Sequence, residues 1–160
     1  MTREFVNKNV SGRPKIGVID VGGGLRDIFG SGVFDRCIDD NIWFDHAIGV
    51  SAGSANLVSY LAGQRARAYQ FYINYAFRPE YMGMRNFLRD GNYINLDYIY
   101  GTLSNSDGEN PLDYQAFLER QTPFDVVATD AETGQPVYLS SELMSQDDYG
   151  AIKASCCVPG

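Results

Sequence analysis

The sequence predicts an α/β fold with a mostly parallel β-sheet, and three observations lead to this prediction. Two nearly continuous apolar segments, Lys15 to Val21 and Phe44 to Val50, have the pattern of strands buried on both faces of a parallel sheet. A helical pattern lies between them, so strand, helix and strand follow within about 35 residues as a right-handed βαβ unit. Two later strand patterns, Phe124 to Thr129 and Pro136 to Leu139, are separated by a turn that allows a hairpin.

The other elements follow in chain order after a polar lead-in, residues 1–13. The first helix places four apolar residues on one face, namely Val33, Phe34, Cys37 and Ile38. The second helix, Ala52 to Ala62, is followed by Gly63, a typical stop signal. The segment Asn92 to Leu103 has no clear periodicity. Helical patterns cover four later segments: Arg65 to Phe77, Tyr81 to Asp90, Leu112 to Arg120 and Asp147 to Cys157.

Composition excludes several classes of protein. With 160 residues, of which 44% are hydrophobic and 21% charged, the chain is long enough for one globular domain, residues 14–160. The net charge of −7 argues against a nucleic-acid partner, because such proteins carry a basic surface, but it is compatible with a lipid or ester substrate. Since Met1 to Pro14 lacks the apolar core of a signal peptide, and no segment resembles a membrane span, we expect a cytoplasmic protein.

Cysteine and histidine are too few for a metal site. The three cysteines, Cys37, Cys156 and Cys157, do not have the spacing of a disulfide framework. Together with the single histidine, His46, they do not form a metal-ligand set. We therefore expect no metal and no other cofactor, and we interpret Cys156 and Cys157 as small buried hydrophobic residues.

A G-x-S-x-G motif, formed by Gly49, Ser51 and Gly53, lies between the second strand and the second helix. This is the context of a nucleophile elbow, in which a sharp turn presents the serine at a helix N-terminus. Bulk beside the serine would clash in such a turn, so glycines flank it. The helix N-terminus would favour a developing anion. A glycine-rich turn without catalytic function is the alternative interpretation.

Three further glycines, Gly22, Gly23 and Gly24, directly follow the first strand. Glycines let the backbone approach a ligand and point successive N–H groups into one concavity, as an oxyanion hole requires. A dinucleotide-binding G-x-G-x-x-G motif is excluded, because its last glycine position is occupied by Asp27. A plain tight turn remains the alternative.

A nucleophilic serine needs a base, and the sequence offers few. His46 precedes Ser51 in the same strand, whereas the histidine of α/β-hydrolases follows the nucleophile, so we interpret it as an ordinary strand residue. A carboxylate acting directly on the serine is the remaining option. Asp130, at the carboxyl end of the third strand, is the best candidate in the chain, although a turn role is favoured for it. Asp20 could brace the glycine loop.

Two aromatic segments, Tyr69 to Phe77 and Tyr93 to Tyr100, could line an acyl pocket, although ordinary packing is the favoured interpretation. Similarly, four arginines could meet anionic head groups during transient contact with a membrane surface, although solvated helix faces are favoured. These are Arg65, Arg67, Arg78 and Arg85.

Four segments together resemble the bacterial patatin-like phospholipases. They are VGGGLRDIFGSGVFD from Val21, FDHAIGVSAGSAN from Phe44, FDVVATDAETGQPVYL from Phe124 and AIKASCCVPG from Ala151. Their order and spacing are more specific than any single motif, and the resemblance extends from about Lys15 to the end of the chain. It implies a three-layer α/β/α fold and lipid acyl hydrolysis by a serine–aspartate dyad.

The resemblance also implies roles for individual residues. Ser51 would be the nucleophile, and Arg26 would support the glycine loop. The family has glycine where this chain has Asp27, which would weaken the oxyanion hole unless its side chain turns away. The oxyanion hole would be formed by the backbone N–H groups of Gly22, Gly23, Gly24 and Leu25.

The catalytic aspartate of the family lies in a D-G-G or D-G-A motif after the segment that matches Ala154 to Pro159, and the chain ends before that motif. We therefore expect the chain to be the N-terminal portion of a longer domain, with little esterase activity alone. We also expect it to self-associate through an unpaired sheet edge. The alternative is a non-catalytic patatin-fold module for binding or interaction.

Overall fold

The computed structural model describes residues 14–158, which form a four-stranded sheet with helices. The strands lie in sequence order: β1 (Gly17–Asp20), β2 (His46–Val50), β3 (Phe124–Thr129) and β4 (Pro136–Ser140). β1 pairs with β2 and β2 with β3 in parallel, and β4 is antiparallel to β3. The prediction of an α/β fold with a mostly parallel sheet and a closing hairpin is therefore confirmed.

Seven α-helical segments are present in the described part of the chain. A 3₁₀ turn, Gly24–Asp27, leads directly into the first of them. The third and fifth continue as π-helical turns, Phe71–Tyr75 and Ile99–Leu103. The segments are α1 (Ile28–Asp39), α2 (Ala52–Leu61), α3 (Arg67–Gln70), α4 (Met84–Asp90), α5 (Leu96–Tyr98), α6 (Tyr114–Arg120) and α7 (Gly150–Ser155).

Helix α2 is the centre of the molecule, because most of its residues are buried. It packs on β1 and β2 and is flanked by α1 and α6. Alternate strand residues, among them Ala47, Phe124 and Val126, face this helix and form the core with Leu57 and Leu61. The strand order β1-β2 with α1 between them places the glycine loop and the start of α2 at the same edge of the sheet.

The structure differs from several expectations. The described helices cover one face of the sheet, so a second helical layer is not observed in residues 14–158; the opposite face carries Ile19, which is 64% exposed. Val33, predicted for the buried face of α1, is 44% exposed, whereas Phe34 is buried as predicted. The region predicted as one helix from Arg65 to Phe77 is instead a short α-helix followed by a π-helical turn. The polar lead-in, residues 1–13, lies outside the described residues.

Candidate active site

Ser51 lies at the turn between β2 and α2 with a strained backbone, φ 54° and ψ −130°. Positive φ is uncommon for a residue other than glycine, and the ψ of Ser51 lies outside the left-handed helical region, so this conformation is strained. The two glycines that flank Ser51 are required because a larger side chain would not fit at either position. A Cβ on Gly49 would lie 2.5 Å from the Cα of Ser54, and one on Gly53 would lie 2.4 Å from the carbonyl oxygen of Asp20. The local geometry is that of a nucleophile elbow.

The glycine loop packs directly against this elbow. A Cβ on Gly22 would lie 2.4 Å from the carbonyl oxygen of Val50, so only glycine fits there. Gly22, Gly23 and Gly24 all have positive φ. The Gly22 N–H donates to the Asp20 carboxylate at 3.0 Å, whereas those of Gly23 and Gly24 have no acceptor among the described residues. The loop therefore keeps two N–H groups available beside Ser51.

Asp27 does turn away from the site, since it is buried and does not line the cavity next to Ser51. Its carboxyl group lies beside that of Asp20, and burial, followed by repulsion from Asp20, raises the pKa of Asp27 to about 7. In both groups Oδ2 is buried without a hydrogen-bond donor in the described chain. A proton shared between the two carboxyl groups would satisfy both oxygens.

Helix α7 reaches the elbow through Ser155. The Ser51 N–H donates to Ser155 Oγ at 2.7 Å, and the Ser155 hydroxyl donates to the carbonyl oxygen of Val127 in β3 at 2.5 Å. Sequence reasoning assigned no role to Ser155, although the A-S-x-x-x-P segment that contains it was one of the motifs of the resemblance. This serine ties the turn that carries Ser51 to the neighbouring strand.

Cys156 follows Ser155 and lies beside the Ser51 side chain. The phenol of Tyr100 is 3.1 Å from its sulfur. Burial raises the pKa of Cys156 to about 11, against the opposing effect of hydrogen bonds with the side chains of Tyr100 and Ser51. The thiol is therefore neutral at physiological pH. Cys157, in contrast, is exposed, so the expectation that both cysteines are buried is wrong for Cys157.

A cavity of about 130 Å³ opens beside Ser51. The glycine loop contributes Gly24 and Leu25 to its rim, and one face of α2 forms its floor. Its walls are mostly apolar and include four aromatic side chains from the two aromatic segments and the loop between them: Phe71, Tyr72, Tyr81 and Tyr100. This arrangement can hold an apolar chain with its reactive end at Ser51.

The structure places the other candidate residues away from Ser51. His46 lies at the start of β2, at the opposite edge of the sheet, where Nε2 is 2.8 Å from Asp125. Asp130 accepts hydrogen bonds from the backbone N–H groups of Thr133 and Glu132, and these bonds lower its pKa. Asp130 therefore stabilises a turn, which is the interpretation that the sequence favours. The side chain of Arg26 is exposed on the 3₁₀ turn.

The four arginines have different environments. Arg65 pairs with Asp39, and Arg78 pairs with Glu109, as expected for solvated surface residues. Arg85 lies on α4, away from the cavity lining. Arg67, in contrast, lines the cavity next to Ser51, a position that no pattern in the sequence indicates.

Comparison with curated proteins shows a distant relative of this chain. The chain is 28% identical over 160 residues to the uncharacterized protein YjjU of Escherichia coli (strain K12), covering 91% of this chain and 41% of that protein. The chain thus spans less than half the length of this relative. No family profile and no solved structure match the chain. Within residues 14–158, no helix has the length and apolar character needed to cross a bilayer.

Proposed function

We propose that this chain is the nucleophile-bearing part of a serine acyl hydrolase that cleaves lipid or other carboxylic esters, as in the bacterial patatin-like phospholipases that its motifs resemble. The strained backbone of Ser51, at the start of α2 and at the rim of an apolar cavity, is the observation that carries the proposal. A strained backbone at a serine costs stability, so its presence at a cavity favours a role in chemistry.

In this proposal, Ser51 attacks the ester carbonyl and forms an acyl enzyme, and the alcohol leaves. The carbonyl oxygen becomes an oxyanion, which the free N–H groups of Gly23 and Gly24 can bind together with the N-terminus of α2. The Gly22 N–H is already bonded to Asp20, so Gly22 serves to hold the loop against the elbow. Water then releases the acyl group.

The base is expected from an aspartate outside this chain. Among residues 14–158, no carboxylate and no imidazole forms a hydrogen bond with the Ser51 hydroxyl. Asp20 bonds to Gly22, and Asp130 bonds to its own turn. The neighbouring thiol of Cys156 is a poor base because its pKa is about 11 and it holds its proton at neutral pH. A D-G-G or D-G-A segment would supply the missing partner.

The test is the reaction of Ser51 with a fluorophosphonate probe and with p-nitrophenyl esters in the full-length protein. We expect Ser51→Ala to abolish labelling and to lower kcat/KM for ester hydrolysis by roughly 10³-fold or more, because the nucleophile is removed. Ser145→Ala is the matched control: this serine is exposed and away from the cavity, and its loss should leave both readings unchanged.

Absence of labelling in the unmodified full-length protein would contradict the hydrolase and favour the alternative, a non-catalytic module that retains the fold. The lack of a base next to Ser51 among the described residues is the observation that keeps this alternative open. Labelling that persists in Ser51→Ala would place the nucleophile elsewhere.

A further inference from the structure

Arg67 and Ser51 line the same cavity. The lining residues near Ser51, such as Gly24 and Leu25, are exposed. Arg67 is partly exposed; two of its partners, Ser59 and Ser104, are buried, whereas Pro111 is exposed. An extended ligand that enters at the serine would therefore meet the guanidinium with its far end.

The distance between the two ends follows from helix α2. Ser51, Ala55 and Ser59 are four residues apart and share one face of this helix, and all three line the cavity. With a rise of 1.5 Å per residue, the Cα atoms of Ser51 and Ser59 are about 12 Å apart. Arg67 contacts Ser59, so the cavity spans a chain of about eight carbons between the serine and the guanidinium.

The guanidinium of Arg67 has neutral partners only. Nε donates to the carbonyl oxygen of Pro111 at 3.0 Å, and Nη1 donates to Ser59 Oγ at 2.8 Å. Nη2 donates to Ser104 Oγ and to the carbonyl oxygen of Asn110, both at 3.0 Å. These bonds use four of the five N–H groups, which leaves one on Nη1.

No carboxylate among the described residues pairs with Arg67, and burial lowers its pKa to about 10. Arg65 and Arg78, in contrast, each have an acidic partner. A desolvated cation without a counter-ion is unfavourable, and an anion brought into the cavity would relieve that cost.

We propose that the cavity selects esters whose acyl chain carries a carboxylate at its far end, such as half-esters of dicarboxylic acids, and that Arg67 binds this carboxylate. A wholly apolar chain of the same length would contact the apolar walls but would leave the guanidinium without a counter-charge. Head groups of membrane lipids do not fit the same role, because they belong to the alcohol that leaves and not to the acyl chain. This inference rests on the proposed hydrolase function, because that function places the ester at Ser51.

The test compares two p-nitrophenyl esters of equal length in the full-length protein: the octanoate and the mono-ester of suberic acid. We expect a preference of about ten-fold or more in kcat/KM for the suberate, as one charge-assisted hydrogen bond provides. Arg67→Gln should abolish this preference, and Arg67→Lys should retain part of it. Arg78→Gln is the control. Arg78 bonds to Glu109, which precedes the Arg67 partner Asn110 in the chain, but Arg78 does not line the cavity.

A second measurement separates this inference from the hydrolase. Calorimetric binding of monomethyl suberate to Ser51→Ala, with and without Arg67→Gln, requires no catalysis. Binding that weakens about ten-fold or more in the double variant supports the carboxylate site even if no ester is cleaved. Hydrolysis of both esters without preference, or binding that is absent or independent of Arg67, overturns it.

Discussion

Two buried carboxyl groups, those of Asp20 and Asp27, lie next to the glycine loop. Asp20 accepts a hydrogen bond from the Gly22 N–H, and the Asp27 carbonyl oxygen accepts one from Asn56 at 2.9 Å. The Asn56 side chain in turn accepts a bond from Tyr72, which lines the cavity. The backbone of Asp27, at the position where the family that the motifs resemble has glycine, thus takes part in the support of the loop, and burial raises the pKa of its side chain to about 7.

This pair predicts a dependence of stability on pH. The folded-state pKa of Asp27 is about 7, against about 3.9 in the unfolded chain, so the folded state binds more protons between these values. The free energy of unfolding should therefore fall as the pH rises from about 4 to about 7. Asp27→Asn, which stays neutral and can donate to Asp20, should remove this fall and stabilise the protein at pH 8 by roughly 2 to 4 kcal/mol. Urea titration at pH 5 and pH 8 measures the difference.

The control is Asp130→Asn. The hydrogen bonds in its turn lower the pKa of Asp130, so its contribution to stability is present at neutral pH and is lost on acidification. This variant should therefore lose stability at neutral pH, in contrast to Asp27→Asn. Equal pH dependence in the unmodified protein and in Asp27→Asn would show that Asp27 is ionised in the fold.

At the scale of elements, helix α1 contains two glycines with opposite environments. A Cβ on Gly30 would lie 2.6 Å from Asp27 Oδ1 and 3.0 Å from Asp20 Oδ2, whereas a Cβ on Gly32 would meet nothing within 4 Å. We expect Gly30→Ala to destabilise the protein by about 1 to 3 kcal/mol through overpacking. Gly32→Ala should stabilise it by up to about 1 kcal/mol, because alanine has the higher helix propensity. Chemical denaturation of both variants at one pH provides the comparison.

If the two variants changed stability by the same amount and sign, the glycine at position 30 would reflect helix propensity alone, and the close contact of α1 with the carboxyl pair would be wrong. A smaller loss for Gly30→Ala in an Asp27→Ala background would fit the packing, since alanine removes the carboxyl oxygen that the new Cβ would meet.

The strands and α2 could be predicted from sequence because their signals are local. Continuous apolar segments and the glycines of the elbow specify them without reference to distant residues. The π-helical turns and the exposure of Val33 could not be predicted, because they depend on what packs against each segment. The same holds for the site: Ser51 and the glycine loop follow from motifs, whereas Ser155 and Arg67 join it only through tertiary contacts.

At the scale of the whole molecule, one face of the sheet carries apolar side chains that no helix of residues 14–158 covers. On this face, opposite α2, Ile19 pairs with Ile48, and Val127 pairs with Tyr138 in a neighbouring row. Asp125 continues the row of Ile48. Ile19 and Tyr138 are 64% and 63% exposed. The edge of the sheet next to Ile19 is the parallel strand β1, and parallel sheets are normally covered on both faces.

This surface gives a structural basis for the predicted self-association of the 160-residue chain. Among residues 14–158, β1 is an edge strand. A second copy that docks on this face would remove the exposed apolar side chains from water, and one that pairs with β1 would extend the sheet. We expect Ile19→Lys to shift the chain towards monomer, because a lysine on an edge strand opposes both docking and pairing. Leu88→Lys is the matched control, since Leu88 is 80% exposed but lies on α4. Sedimentation velocity over a concentration series measures the oligomeric state of each variant. A monomeric unmodified chain would contradict the prediction. An equal effect of both lysines would show that the association depends on surface hydrophobicity in general and not on the sheet.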